Sequence, residues 1–290
     1  MRIRLYISIL SVLLITACKD TRIHEHEEWA TFFTEKGIED GCFIMRDHNH
    51  ETVHYYNKER TITRFTPAST FKIFNSLVAL EIPKAPDEQF LIVWDSVNRR
   101  PEWDKDLTMR EAFTVSSVPY YQEMARRIGF DYMQHFLDTA NYGNRNAGGA
   151  IDEFWLNDSL QISADEQVGF LKKLYFNELP FSERSQRIVR SMMLREQKDN
   201  YNLYYKTGWG APNGAEKETI WIVGFIERIA KMEEHEKSMN KSDIRKYPYF
   251  FALNFSLPSS NDIDYAKYTA IREDILKGIL KDYGAITTAK

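Results

Sequence analysis

The sequence predicts a mixed α/β fold of the α+β type: an antiparallel sheet carrying both terminal segments, flanked by helices, with a helical region inserted mid-chain. Three observations lead there. Strand-like runs lie near the start (Cys42–Tyr56) and late in the chain (Asn202–Tyr205, Thr219–Glu227, Pro248–Leu257), helical patterns fill the middle, and one more closes the chain at Tyr265–Tyr283. With 290 residues and 43% hydrophobic content, a sizeable core is feasible without covalent staples. The formal charge of −4 comes with no large basic patch, which argues against nucleic acid as a partner.

The first residues read as a targeting segment. Arg2 and Arg4 form a basic n-region, Leu5 to Leu14 an apolar run too short to span a bilayer, and Ile15-Thr16-Ala17-Cys18 resembles a bacterial lipobox. The expected organisation is a lipoprotein signal peptide over 1–17, a solvated N-terminal tether over 18–38 that includes His24 and His26, and one catalytic domain over 39–290. Lipidation of Cys18 would use several acyl chains, enough for stable anchoring, and would be the only contact with a membrane. Secretion without lipid is the alternative. Lys19 after the cysteine favours the outer membrane, so the expected location is periplasmic. Loss of Arg2 and Arg4 moves the charge to −6, with 36 basic against 42 acidic residues. Cys42 is then the lone cysteine and reads as a small buried apolar residue.

The next segment contains a decoy. His50-Glu51-Thr52-Val53-His54 fits the H-E-x-x-H zinc signature, which requires a helix so that both histidines reach one metal. Here it follows Cys42-Phe43-Ile44-Met45 and a turn at Asp47–Asn49, and it runs into Tyr55 and Tyr56, a β-hairpin pattern. At about 3.3 Å per residue, positions four apart in a strand are about 13 Å apart, too far to share a metal.

Ser69-Thr70-Phe71-Lys72 opens an apolar helical run made by Phe71, Ile73, Phe74, Leu77, Val78 and Leu80. Thr66 is the expected N-cap and Pro67 the first helical residue. A serine hydroxyl needs a base within reach, and a lysine three positions on along a helix shares its face. The first-turn N–H groups have no intrahelical partner, so that of Ser69 is available to an oxyanion. Spacing alone does not decide the matter: Ser238-Met239-Asn240-Lys241 has the same pattern inside the charged Lys231–Lys246 run, which reads as a solvated loop.

Three further elements follow in order. Ser116-Ser117-Val118 precedes an aromatic-rich helical stretch, Tyr142-Gly143-Asn144 sits at a loop, and Lys206-Thr207-Gly208-Trp209 ends the run Asn202–Tyr205, with a hairpin turn at Asn213-Gly214 beyond. With these four motifs the chain resembles the class D, or oxacillinase-type, serine β-lactamases, a serine β-lactamase/penicillin-binding transpeptidase-like fold. The flanks Trp103–Phe113, Phe154-Trp155-Leu156, Ile162-Ser163-Ala164 and the stretch around Arg272 are similar as well, so the resemblance covers most of the chain after about residue 40.

The resemblance implies a site in the cleft between sheet and helical region. Ser69 would attack the lactam carbonyl, the N–H groups of Ser69 and Trp209 would hold the oxyanion, and Ser116 with Lys206 would relay a proton to the ring nitrogen. Thr207 and Arg272 would bind the substrate carboxylate, and Gly208 belongs to the same substrate-binding set. The second motif reads Ser-x-Val, not the Ser-Asp-Asn of class A enzymes, and no class A-type deacylating glutamate stands in a matching context. In the family, Lys72 carbamylated by carbon dioxide or bicarbonate takes that role, enclosed by Phe71, Val118, Trp155 and Leu156, with the Trp155 indole N–H able to donate to the carbamate. No metal or organic cofactor is expected. Tyr142, Gly143 and Asn144 either shape a turn or reach the site. The expected partners are β-lactam antibiotics; alternatives are a β-lactam sensor domain that stays acylated, and a D-alanyl-D-alanine peptidase or an inactive relative of one.

Overall fold

The structure is a computed structural model that describes residues 22–212, 214–231, 244–260 and 262–286. The expected signal segment, Cys18, Asn213 and the Ser238/Lys241 pair lie outside the described residues. In chain order the strands are β1 (Ile23–Glu25), β2 (Gly41–Asp47), β3 (Thr52–Tyr56), β4 (Arg64–Phe65), β5 (Leu91–Ile92), β6 (Leu107–Thr108), β7 (Ile162–Ser163), β8 (Leu194–Gln197), β9 (Tyr201–Gly210), β10 (Lys217–Lys231) and β11 (Ile244–Pro258). The helices are α1 (Ala30–Thr34), α2 (Lys58–Ile62), α3 (Lys72–Glu81), α4 (Met109–Thr114), α5 (Val118–Ile128), α6 (Phe130–Ala140), α7 (Ala164–Tyr175), α8 (Glu183–Met193) and α9 (Tyr265–Asp282).

Seven strands form one sheet in the order β1-β3-β2-β11-β10-β9-β8, antiparallel except for β1 against β3. Its central strands are apolar on both faces because both faces are covered. Cys42, Ile44, Trp221, Val223, Phe225, Phe250 and Ala252 point into a core shared with α3 and α5–α8. The alternate residues Phe43, Met45, Ile220, Ile222, Phe251, Leu253 and Phe255 point into a second core with α1 and α9. Cys42 is fully buried, donates to Asn254 Oδ1 at 3.6 Å, and burial raises its thiol to about 12.

The strand bounds correct three sequence expectations. β9 is longer than the run Asn202–Tyr205, spanning Tyr201–Gly210, with Lys206-Thr207-Gly208-Trp209 forming its end. β10 and β11 are longer than their apolar runs, because polar residues such as Arg228 and Lys246 keep pairing where the strands project outward. The charged connection is correspondingly shorter than Lys231–Lys246, and its middle lies outside the described residues. The H-E-x-x-H segment is the expected hairpin, with Thr52–Tyr56 in β3 and β2 beside it.

The tether expectation fails from Ile23 onward. β1 adds to the sheet with His24 opposite His54, and Trp29 and Phe33 are buried in the second core. Trp29 stacks on His26 at 4.0 Å, meets Phe43 edge-on at 5.4 Å, and donates its indole N–H to Asp282 Oδ2 at 2.9 Å. His26 Nε2 lies 2.9 Å from His54 Nδ1, and His24 stacks on His54 at 4.8 Å. His54 Nε2 faces Thr52 Oγ1 at 2.8 Å and the Tyr283 hydroxyl at 3.2 Å, and that hydroxyl donates to Asp47 at 2.9 Å.

Burial first, then the charges that His26, His24 and His50 can carry, push the His54 imidazolium down to about 4, with Asp47 opposing. An unfolded chain takes up this proton near 6.5 and the folded one only near 4, so between those values acid favours the unfolded state. Melting temperature should therefore fall as pH drops from 6.5 to 4, and His54→Gln should flatten that part of the profile; an unchanged slope in the variant would refute the assignment.

Candidate active site

Ser69 and Lys72 are brought together by a tight turn and not by a regular helix. Residues Ala68–Phe71 form a 3₁₀ turn and α3 begins at Lys72. Thr66 is not the N-cap: its hydroxyl donates to Asp158 Oδ1 at 2.6 Å, Pro67 occupies the cap position, and Thr70 N–H bonds the Pro67 carbonyl at 3.1 Å. Ala68 is left-handed at φ +48°, a conformation that costs an L-residue about 1–2 kcal/mol, and its N–H is pinned by the Trp155 carbonyl at 3.2 Å. The turn presents Ser69 at the cleft, 8% exposed.

Lys72 is 1% exposed and its Nζ donates to Ser69 Oγ at 2.7 Å. No carboxylate pairs with it among the described residues; the Tyr121 ring lies 5.4 Å away. Burial alone lowers its ammonium to about 7. A lysine in that state exchanges protons readily at neutral pH.

The second and third motifs stand differently. Ser116, left-handed at φ +57°, turns the chain from α4 into α5, and Ser117 caps α5 by accepting from Tyr120 N–H. Lys206 Nζ donates to Ser116 Oγ at 2.9 Å and to the Thr207 carbonyl at 2.9 Å. Burial, then the charges of Lys72, Arg195 and Arg272, hold the Lys206 ammonium well below its ordinary value. Tyr142, Gly143 and Asn144 do not line the cleft. Tyr142 is buried between Phe74 and Phe170, and Asn144 staples two loops through the Ser159 carbonyl at 2.8 Å and the Gln161 N–H at 3.1 Å. Gly143, at φ +53°, leaves no room for a side chain, since a Cβ would stand 2.2 Å from the Gln161 carbonyl.

The fourth wall is β9. β8 pairs with it only as far as Tyr204, so the outer edge of Lys206–Gly210 has no strand partner and faces the cleft. Gly208 lets this edge approach the nucleophile turn: a Cβ would lie 3.0 Å from the Pro67 carbonyl and 3.0 Å from Thr70 Cγ2. Arg272 on α9 is 6% exposed; it donates to the Gly208 carbonyl at 3.4 Å and to Thr269 Oγ1 at 3.3 Å, its Nε has no partner, and burial lowers it to about 10. A buried guanidinium with a spare donor and, among the described residues, no carboxylate bonded to it suits an anionic ligand, although the neighbouring Glu273 charge also acts on it.

Behind Lys72, Phe71 stacks on Trp155 at 5.3 Å, and the buried Trp155 Nε1 has no hydrogen-bond partner. Val118 lines the cleft, and Leu156 is partly buried against the same core. The cleft encloses about 370 Å³. Other lining residues, among them Arg100, Trp103, Glu218, Tyr265 and Thr269, were not singled out from sequence as site residues. Of these only Thr269 and Tyr265 carried a usable signal, at helical spacings of three and seven from Arg272. Among the described residues no cluster of His, Cys, Asp or Glu could hold a metal ion.

Comparison with known proteins agrees with this geometry. Residues 38–242 match the family described as penicillin binding protein transpeptidase domain. The chain is 36% identical to "Beta-lactamase OXA-48" of Klebsiella pneumoniae, over 89% of this chain and 88% of that protein. It is 42% identical to "Probable beta-lactamase YbxI" of Bacillus subtilis over 65% of this chain and 70% of that one. Among solved structures, the class D β-lactamase FUS-1 (OXA-85) from Fusobacterium nucleatum subsp. polymorphum superposes with a TM-score of 0.78 at 35% identity, covering 91% of this chain and all of that one. A class D β-lactamase from Sebaldella termitidis gives 0.80 at 30% identity, over 91% and 99%.

The close approach at Gly208 yields a direct test. Gly208→Ala should destabilise the fold by about 1–3 kcal/mol in denaturant unfolding, because the backbone carbonyl of Pro67 must give way; an unchanged midpoint would show that the strand and turn are not held at this distance.

Proposed function

The chain belongs to the class D serine β-lactamases, hydrolases that support antibiotic resistance, and from that premise we propose that it hydrolyses penicillin-type β-lactams through Ser69 with Lys72 as the base of both half-reactions. The observation that carries this reading is the buried amine of Lys72, 2.7 Å from Ser69 Oγ and without a counter-ion.

In acylation, neutral Lys72 accepts the Ser69 proton as Oγ attacks the lactam carbonyl and the carbonyl oxygen takes the negative charge; that proton then passes on to replace the one Lys206 gives up, which returns the Lys72 amine to its neutral form. The Ser69 N–H, in the 3₁₀ turn that leads into α3, and the Trp209 N–H, on the stretch of β9 that β8 leaves uncovered, are the donors for that charge. As the lactam C–N bond breaks, Lys206 supplies a proton to the nitrogen through Ser116, to which it is already bonded. Thr207 and Arg272 take the carboxylate of the bicyclic nucleus.

Deacylation needs a base for water, and the one carboxylate on the cleft lining, Glu218, is engaged by the Trp209 indole N–H. Carbon dioxide bonded to the Lys72 nitrogen would supply a carbamate, a carboxylate-like base. The surroundings fit such a group: a neutral amine reacts with carbon dioxide and releases a proton, burial brings Lys72 down to about 7 so that much of it is neutral at neutral pH, and Trp155 Nε1 is a buried donor lacking an acceptor. Phe71, Val118 and Leu156 complete an apolar enclosure that disfavours the ammonium.

Two outcomes are expected. Turnover of benzylpenicillin should vanish in Ser69→Ala, and in the wild type it should fall at least tenfold in decarbonated buffer and recover on adding bicarbonate; turnover indifferent to bicarbonate would rule out the carbamate. Arg272→Lys should raise KM about tenfold with kcat less affected, since an ammonium cannot reproduce the guanidinium fork; a wild-type KM would remove Arg272 from carboxylate binding.

A further inference from the structure

The cleft lining holds two guanidinium groups, Arg272 deep in the site and Arg100 at its mouth. The proposed reaction uses only the first. Arg100 is exposed, and among the described residues it pairs with no carboxylate. Its guanidinium carbon lies 4.7 Å from the Trp103 ring centroid and 5.9 Å from that of Tyr265. These rings stand on opposite walls. Trp103 is fixed by its indole N–H on the Val115 carbonyl at 3.0 Å, next to Ser116, whereas Tyr265 opens α9 and packs on Trp209 at 4.6 Å. The neighbouring Arg99 shows the contrast: its guanidinium is occupied by both oxygens of Asp95, at 2.8 and 2.7 Å.

Stacking on a ring uses the face of a guanidinium and leaves the N–H edge free. That edge is the part that recognises a carboxylate. Position supports the same use. Tyr265 and Arg272 are seven residues apart on one helix, a backbone rise of roughly 10 Å. Arg100, beside the Tyr265 ring, therefore faces the end of the cleft about two helical turns from the backbone of Arg272.

Resting on the β-lactam reading of this cleft, we propose that Arg100 is a specificity residue that binds a second carboxylate, carried on the acylamino side chain, while Arg272 holds that of the nucleus. The favoured substrates are then dianionic penicillins.

The test uses a minimal pair, benzylpenicillin and its α-carboxy analogue, with wild type, Arg100→Gln and Arg100→Lys. Arg100→Gln should lower kcat/KM for the α-carboxy compound about three- to tenfold, chiefly through KM, leaving benzylpenicillin within about twofold. Arg100→Lys should keep part of the preference, and added salt should erode it in the wild type. Equal losses on both substrates, or none on either, would overturn the proposal, the former marking Arg100 as a clamp between the two walls. If the wild type hydrolyses neither compound, the hydrolytic reading fails on its own; titration of Ser69→Ala with the same pair still decides on Arg100, and equal affinities with and without Arg100→Gln would dismiss it.

Discussion

The burial of the Lys72 amine without a counter-ion is the constraint on which the rest of this site depends. Holding an ammonium whose proton affinity has dropped from 10.5 to about 7 costs the folded state on the order of 5 kcal/mol at neutral pH, comparable to the whole stability of an ordinary domain. Only a large, rigid apolar environment can sustain it. The chain supplies one: Phe71, Phe74, Tyr121, Phe154 and Trp155 are buried around the start of α3, in a core continuous with one face of the sheet. A carboxylate beside Lys72 would relieve the cost but would also raise its proton affinity and end its use as a base.

Backbone strain is present at the same place. Ala68 and Ser116, the two left-handed non-glycine residues that adjoin or belong to the reactive set, each adopt a conformation that the surrounding packing must enforce. Ala68 is held by the Trp155 carbonyl and by β9 passing over the turn, and the Ser116 hydroxyl accepts from Lys206. The nucleophile turn, the start of α5 and the open edge of β9 therefore fix one another. The N-terminal part of β9 pairs with β8, and its C-terminal part is left uncovered by β8 along the cleft.

Much of this was legible in the sequence, for local reasons. Ser69 and Lys72, Ser116, and Lys206 to Trp209 mark themselves by spacing, and the strands with both faces buried announce themselves as apolar runs. What escaped depended on distant partners. Thr66 looks like a cap until Asp158, far along the chain, takes its hydroxyl. His24 and His26 look like a solvated leader because β1 is only three residues long and is defined by pairing with β3. Tyr142-Gly143-Asn144 was ambiguous because its work is to bind the 159–161 loop, a contact no spacing rule encodes. Arg100 and Trp103 gave no signal because loop residues carry no periodicity from which a facing wall could be inferred.

The charges of the cleft act as a set. Lys72, Lys206 and Arg272 are buried within one site, and the mutual repulsion that disfavours the Lys206 ammonium comes from Lys72, Arg195 and Arg272 in addition to burial. An empty site therefore keeps its lysines poised toward the neutral form, while its net field attracts anions. An anion seated on Arg272 offsets that repulsion, so in the proposed reaction a carboxylate bound there also raises the proton affinity of Lys206. The proton that the proposal delivers to the departing nitrogen is then more readily held by Lys206 with that anion in place. Binding and proton supply follow from one arrangement of charge, and the apolar core behind Lys72 keeps that arrangement from being neutralised by solvent.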